Sequence, residues 1–298
     1  MDRFYYGAHL SIKNSIISAI DEIIEYEGNM IQIFISNPMS TKSNPKLTDK
    51  QCQLIKDKLI NTNCLLVIHL PYVINLSKPT IDLINAWWIK MICDQLLISH
   101  KIGSLGCVVH VGKHLDLTIS EGIDNMYKSL EYVINYIIEN DLDTFIILET
   151  AAGQGTELIS TKNNSLEDLS NFYNKFTINQ KKYIKLCVDT CHIFAAGFDI
   201  TNSNRVKRFF EDFNRLIGIE YLALIHLNDS KSSCGSCVDR HENLGIGKIG
   251  IEGLRNFIRY GAYYKIPIIL ETPNAFIKEI QLIKTVKERV DKWISKTK

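Results

Sequence analysis

Cys187-Val-Asp-Thr-Cys-His192 closes an apolar run, Ile184–Asp189, with a carboxylate on its last residue and an imidazole three positions further on. Seven other runs share that apolar character: Phe4–Leu10, Met30–Ile35, Cys64–His69, Gly106–His110, Thr144–Glu149, Tyr221–Leu227 and Ile266–Glu271. Most are short and apolar along their whole length, as parallel strands covered on both faces are. Between them, helical patterns fall at Ile12–Tyr26, Thr48–Ile60, Thr80–Lys101, Ser120–Glu139, Ser165–Phe176, Ser203–Ile217, Ile251–Gly261 and Phe276–Lys296. Thr48 and Ser165 are their clearest N-cap candidates. Eight strand–helix pairs in 298 residues predict an α/β fold, a (β/α)8 TIM barrel forming a single domain over residues 1–298. Gly153-Gln-Gly155 and Gly245-Ile-Gly247 are too short and badly placed for a dinucleotide fingerprint, and read as loop turns.

The formal net charge is +1, so nothing marks the whole molecule as a polyanion binder; any nucleic-acid contact must come from local basic loops. The eight cysteines are scattered, and Cys64, Cys93 and Cys107 lie in apolar surroundings as small hydrophobes. No signal peptide or membrane-length apolar run is seen. The expectation is a reducing, intracellular setting (cytoplasm or nucleus, or a replication site or virion for a viral protein), with no membrane partner and a monomeric chain.

The chemistry-bearing residues share one topological address. His69, His110, Glu149, Asp189, His226 and Glu271 each stand at the end of an apolar run, and His192, Asp239 and His241 lie in the loops just beyond. In a TIM barrel those loops build the active site on one rim. A single such histidine reads as a satisfied buried imidazole. Nine converging groups read differently, because carboxylates brought together without cations repel one another. Imidazole with carboxylate suits borderline-soft divalent metals, and nine ligands are too many for one ion and enough for three.

Longer segments carry a resemblance. Cys187-Val-Asp-Thr-Cys-His-Ile-Phe-Ala-Ala-Gly-Phe-Asp199, His226-Leu-Asn-Asp-Ser-Lys231, Val238-Asp-Arg-His-Glu-Asn-Leu-Gly245 and Leu270-Glu-Thr-Pro-Asn274 are similar to signature segments of the endonuclease IV family. So are Gly7-Ala-His-Leu-Ser11, Tyr72-Val-Ile-Asn-Leu76 after His69, His110-Val-Gly-Lys-His-Leu115 and Glu149-Thr-Ala-Ala-Gly-Gln-Gly155. That family comprises zinc-dependent apurinic/apyrimidinic endonucleases of DNA base-excision repair, and the similarity runs from the first strand to the last.

The resemblance implies three Zn2+ ions. One falls to His69, His110 and Glu149; a second shares Glu149 and adds Asp189, His226 and Glu271; the third falls to His192, Asp239 and His241, a set that also suits Mn2+. His9 and His114 match motif positions near the site and are expected to orient ligands rather than bind. The implied substrate is duplex DNA containing an abasic site, cut 5′ to the lesion to leave a 3′-hydroxyl and a 5′-deoxyribose phosphate. Glu149 would serve as the bridging carboxylate, and Glu271 would orient or deprotonate the attacking water. Tyr72 and Met39 are expected to hold open the gap beside the lesion, with Arg240, Lys113, Lys231, Lys42, Lys46 and Lys248 as rim cations for phosphate.

The chain departs from the family at two loops. Phe34-Ile-Ser-Asn-Pro-Met39 stands where relatives often carry an arginine, and Cys234-Gly-Ser-Cys237 replaces an aromatic and a basic residue. The two cysteines are expected to be loop thiols or a reversible disulfide, not metal ligands. Two other readings stay open: a barrel sugar isomerase or epimerase with one or two divalent ions, and a non-catalytic lesion-binding protein.

Overall fold

The structure, a computed structural model, describes residues 3–42, 46–79, 81–274 and 276–297. Eight parallel strands close into a barrel: β1 (Tyr6–His9), β2 (Met30–Ile33), β3 (Leu65–His69), β4 (Gly106–His110), β5 (Phe145–Glu149), β6 (Ile184–Asp189), β7 (Leu222–His226) and β10 (Ile268–Leu270). Neighbours in sequence are neighbours in space, and β10 pairs with both β7 and β1 to close the ring. The helices are α1 (Ile16–Glu25), α2 (Asp49–Thr62), α3 (Trp87–Ile102), α4 (Ile119–Glu139), α5 (Glu167–Tyr173), α6 (Thr190–Ala196), α7 (Ser203–Leu216), α8 (Gly250–Tyr264) and α9 (Phe276–Thr297). Among the described residues, no helix is long and apolar enough to cross a membrane.

Strand pleating sorts the side chains. On β3, Leu66 and Ile68 join the large core between strands and helices, while Val67 joins a smaller cluster with Met30, Val108, Ile147, Cys187, Leu224 and Ile269. That cluster takes one residue from each strand except β1, and it fills the barrel interior as packed side chains rather than a pore. On β1 the equivalent place is Gly7, where an added Cβ would lie 1.7 Å from the Met30 carbonyl oxygen. Only glycine fits there.

Helix starts follow local chemistry. Thr48 and Thr118 each form a reciprocal capping box, with Gln51 and Glu121. Ser165, expected as an N-cap, stands one residue before the actual N-cap, Leu166, and its hydroxyl accepts from the Glu167 N–H. The expected Ile12–Tyr26 helix begins only at Ile16, because Ser15 takes the N-cap role and accepts from Ser18 N. The expected Thr80–Lys101 helix begins at Trp87, and Thr80 itself lies outside the described residues. The last strand is shorter than Ile266–Glu271: Pro267 has no N–H to give the ladder, though its carbonyl accepts from Ile225 N. The helix expected at Ile251–Gly261 continues to Tyr264, where Lys265 turns left-handed at φ 57°. Two features had no counterpart in the periodicity: α6, and an antiparallel ribbon of β8 (Asp229–Ser230) with β9 (His241–Glu242).

Candidate metal centre

The alternation that packs the barrel interior also delivers the site. Two residues beyond each interior position, the next inward side chain is polar: Val67 leads to His69, Val108 to His110, Ile147 to Glu149, Cys187 to Asp189, Leu224 to His226 and Ile269 to Glu271. On the two remaining strands the same step gives His9 from Gly7 and Gln32 from Met30. His192 comes from the first turn of α6, whose N-cap is Asp189; the Asp189 carboxylate accepts from His192 N at 2.9 Å. The ribbon brings in the rest, since pairing Ser230 with His241 folds Asp239-Arg-His241 back over the rim.

The nine groups meet in three sets, within each of which the candidate ligand atoms lie within 4.8 Å of one another: His69, His110 and Glu149; Glu149, Asp189, His226 and Glu271; His192, Asp239 and His241. A fourth set, Asp189 and His241 with the Cys191 thiol, meets the same distance and bridges the last two. Glu149 belongs to the first two. Its Oε2 is 3.3 Å from His69 Nε2 and 3.2 Å from His110 Nε2, while its Oε1 is 3.0 Å from His226 Nδ1. His226 Nδ1 also faces Glu271 Oε2 at 3.3 Å. In the third set, the two oxygens of Asp239 each lie 3.2 Å from an imidazole, His192 Nε2 and His241 Nε2.

Burial makes this arrangement electrostatically demanding. It pushes Glu149 up, but the charges of His226 and His110 overcome it and hold the carboxyl well below the ordinary range. Glu271 and Asp239 are likewise held low against burial, chiefly by His226 and by a hydrogen bond from His192 respectively. Burial drives His69 below its usual value. It works the same way on His192, His226 and His241, yet nearby carboxylates, with Cys187 acting on His226, raise the first two well above normal and His241 to about 9. Imidazolium protons are the chain's own means of offsetting four converging carboxylates; divalent cations are the other, and binding them displaces those protons. Glu149 Oε2 and His241 Nε2 are buried without a hydrogen bond, so their close contacts are not aligned donor–acceptor pairs. Lone pairs aimed at shared space, on imidazole and carboxylate donors, fit borderline divalent metals.

Surrounding groups fix the candidate ligands, and sequence reasoning passed over several of them. His69 Nδ1 bonds the Leu70 carbonyl at 2.7 Å, and His192 Nδ1 bonds the Thr150 carbonyl at 2.8 Å. Asn228 donates to Asp189 Oδ2 at 2.7 Å and accepts from Glu271 N at 2.9 Å. Asp229 accepts from the N–H groups of Ser230, Gly245, Gly247 and Ile249 at 2.8–3.1 Å, tying down the loop that carries Asp239 and His241. An added Cβ on Gly247 would lie 2.5 Å from that carboxylate. A polar residue two places past an interior strand position was the available signal for Gln32; Asn228 and Asp229 left none beyond their closeness to His226.

The family described as xylose isomerase-like TIM barrel matches residues 20–293. The probable endonuclease 4 of Thermosipho africanus is 37% identical over 273 residues, covering 90% of this chain and 92% of that protein. The putative endonuclease 4 of Acanthamoeba polyphaga mimivirus is 34% identical over 272 residues, covering 90% and 85%. The chain belongs to the endonuclease IV family. Its fold agrees: the crystal structure of endonuclease IV from Thermus thermophilus superposes with a TM-score of 0.77 at 25% identity, covering 96% of this chain and 99% of that one.

Around the centre of this endonuclease IV family member, the other candidates are unevenly placed. A cleft of about 350 Å³ over the cluster is lined by His69, His110, Tyr72, Lys113, Arg240 and Glu271, among others. Tyr72 packs edge-on against His69 and Phe34 at 5.5 and 5.2 Å and remains half exposed. Met39 projects at 73% exposure. Lys113 and Lys231 face carboxylates, Glu157 at 3.3 Å and Glu242 at 3.9 Å, and Lys248 donates to the Ser233 hydroxyl. Arg240 donates to the Asp239 carbonyl and has no carboxylate partner among the described residues. His9 lies where a supporting ring was expected, 3.3 Å from Glu271. His114 does not: its Nδ1 bonds the Leu117 carbonyl at 2.7 Å, which orders its own loop rather than a ligand. Cys234 is exposed, Cys237 half-buried, and neither belongs to a metal-binding set. The thiol close by is Cys191, 3.9 Å from Asp239 Oδ1 and pushed up to about 12 by burial.

Proposed function

We propose that the chain is a zinc-dependent apurinic/apyrimidinic endonuclease that hydrolyses the phosphodiester 5′ to an abasic site in duplex DNA, leaving a 3′-hydroxyl and a 5′-deoxyribose phosphate. The observation that carries this reading is Glu149, one buried carboxylate shared by two ligand sets beside a third set joined through Asp239. These imidazoles and carboxylates would hold zinc, which when bound would supply Lewis-acid charge to activate water and to neutralise charge developing on a phosphoryl group.

The chain's own groups do the rest. Glu271, 13% exposed at the cleft and anchored by Gln32 and Asn228, would orient a water at the cleft floor. Arg240, with no competing carboxylate among the described residues, is the best placed of the rim cations for a phosphate. Lys113 and Lys231 must exchange Glu157 and Glu242 for phosphate, so each adds less. Tyr72 lines the cleft and Met39 is exposed on the loop after β2, and both offer apolar surface suited to filling the gap left by a missing base. A nucleotide without its base costs less to extrude, which supplies part of the selectivity.

Nicking of an abasic duplex oligonucleotide without added magnesium, lost on chelation and regained with zinc, tests the proposal. Aldose–ketose conversion in place of nicking would favour a sugar isomerase, and tight lesion binding without incision a non-catalytic role.

A further inference from the structure

Gln32 is fully buried at the inward end of β2, in a barrel interior that is otherwise apolar up to the ligand layer. Its amide meets three groups of the centre: Nε2 lies 2.5 Å from Glu271 Oε1 and 2.9 Å from His9 Nδ1, and Oε1 lies 2.8 Å from His226 Nε2. The ionised Glu271 carboxylate only accepts, so the amide NH2 must face it and the amide oxygen must face His226. That oxygen in turn requires a proton on His226 Nε2. Nδ1 is then the nitrogen left for a cation, and it is the one that faces Glu149 and Glu271 at 3.0 and 3.3 Å.

The other buried rings differ. His69 and His192 turn Nδ1 to a backbone carbonyl and so offer Nε2. His226 alone among these three has its spare nitrogen held by a side chain, and a side chain can be changed by mutation without disturbing the backbone.

We infer that Gln32 is a positioning residue that makes His226 a ligand through Nδ1 and at the same time holds Glu271 in the second set. The inference rests on the metal reading above, and is specific to one of its three sets. Replacing Gln32 by Met keeps an unbranched chain and removes both the acceptor and the donor. Q32M should lower affinity for one zinc equivalent by about 10–100-fold, the range typical of groups that hold a ligand, and leave the other equivalents unchanged. Q32E restores an acceptor for His226 but sets a carboxylate against Glu271, so it should recover the His226 tautomer without recovering full affinity.

The test is long-range 1H–15N correlation on 15N-histidine-labelled, zinc-loaded full-length chain, with competitive zinc titration alongside. The wild type should show His226 protonated on Nε2 with Nδ1 bound to metal, and Q32M should lose that signature together with one tight equivalent. A wild-type spectrum with His226 bound through Nε2 would overturn the inference while leaving the metal reading intact, whatever the stability of the variants. A Q32M protein retaining every tight equivalent would also overturn it. A wild type that takes up no zinc would remove the metal reading and this inference together.

Discussion

His69, Glu149, Asp189 and His226 end barrel strands and are at most 2% exposed, whereas Asp239 and His241 ride on a loop and keep 36% and 21% of their side-chain surface. For the first group, position follows from the ladder: with neighbouring strands paired, every second residue faces inward, and the ligand layer sits one pleat above a packed apolar layer. For the second, position depends on a two-residue ribbon and on one buried carboxylate, Asp229, gathering backbone N–H groups. The contrast teaches that one centre can have a rigid part inherited from the fold and a part that local loop chemistry must hold.

The largest expected effect lies in the strand-borne part. Glu149→Gln keeps size and removes the charge shared by two sets, so incision should fall by at least about 10²-fold, as when an electrostatic catalytic group is lost. Folding should survive because rim residues do not build the barrel interior. Incision at the wild-type rate, measured on abasic duplex, would mean that Glu149 is not the shared ligand.

Next comes the loop. Asp229→Ala removes the acceptor for five backbone N–H groups, those of Ser230, Gly245, Gly247, Ile249 and Gly250, and each buried donor left unpaired costs about 1–3 kcal/mol. Metal analysis should find the His192–Asp239–His241 equivalent weakened while the strand-borne equivalents persist, and far-ultraviolet circular dichroism should be unchanged. Equal loss from all sets would show that the loop and the strands are not separable.

Smaller still is the effect expected at the exposed apolar residues Tyr72 and Met39. Tyr72→Ala with Met39→Ala should weaken abasic-DNA binding and incision at limiting substrate, with zinc content unaltered. Wild-type incision by this double variant would move the gap-filling role to another loop. The least change is expected at the thiols: Cys234→Ser with Cys237→Ser should hold as much zinc as the wild type, and a drop by one equivalent on elemental analysis would contradict their placement outside the metal sets.

The same contrast decides what could be read in the sequence. The barrel was legible because eight apolar runs and eight helical patterns are long enough for periodicity to speak, and a strand-end histidine or carboxylate is conspicuous after Val-Ile or Ile-Leu. The division into three sets was not legible from spacing; it is what the family resemblance implies, and the distances by themselves also group Asp189 and His241 with Cys191. Gln32 was passed over because an amide is not a ligand type, and its meaning lies in groups on β1, β7 and the rim beyond β10. Helix α6 has seven residues and β8 and β9 two each, too few for any period. His114 sits in a motif beside His110, yet its loop turns the ring to Leu117, which only backbone geometry decides.

The central claim is that one buried carboxylate, Glu149, joins two strand-borne sets to form a centre with a third, loop-borne one. Elemental analysis of desalted protein, active in abasic-site incision, tests it most directly. The account predicts about three zinc equivalents per chain, one for each imidazole–carboxylate set. Fully active protein holding a single metal ion, or none, would contradict it.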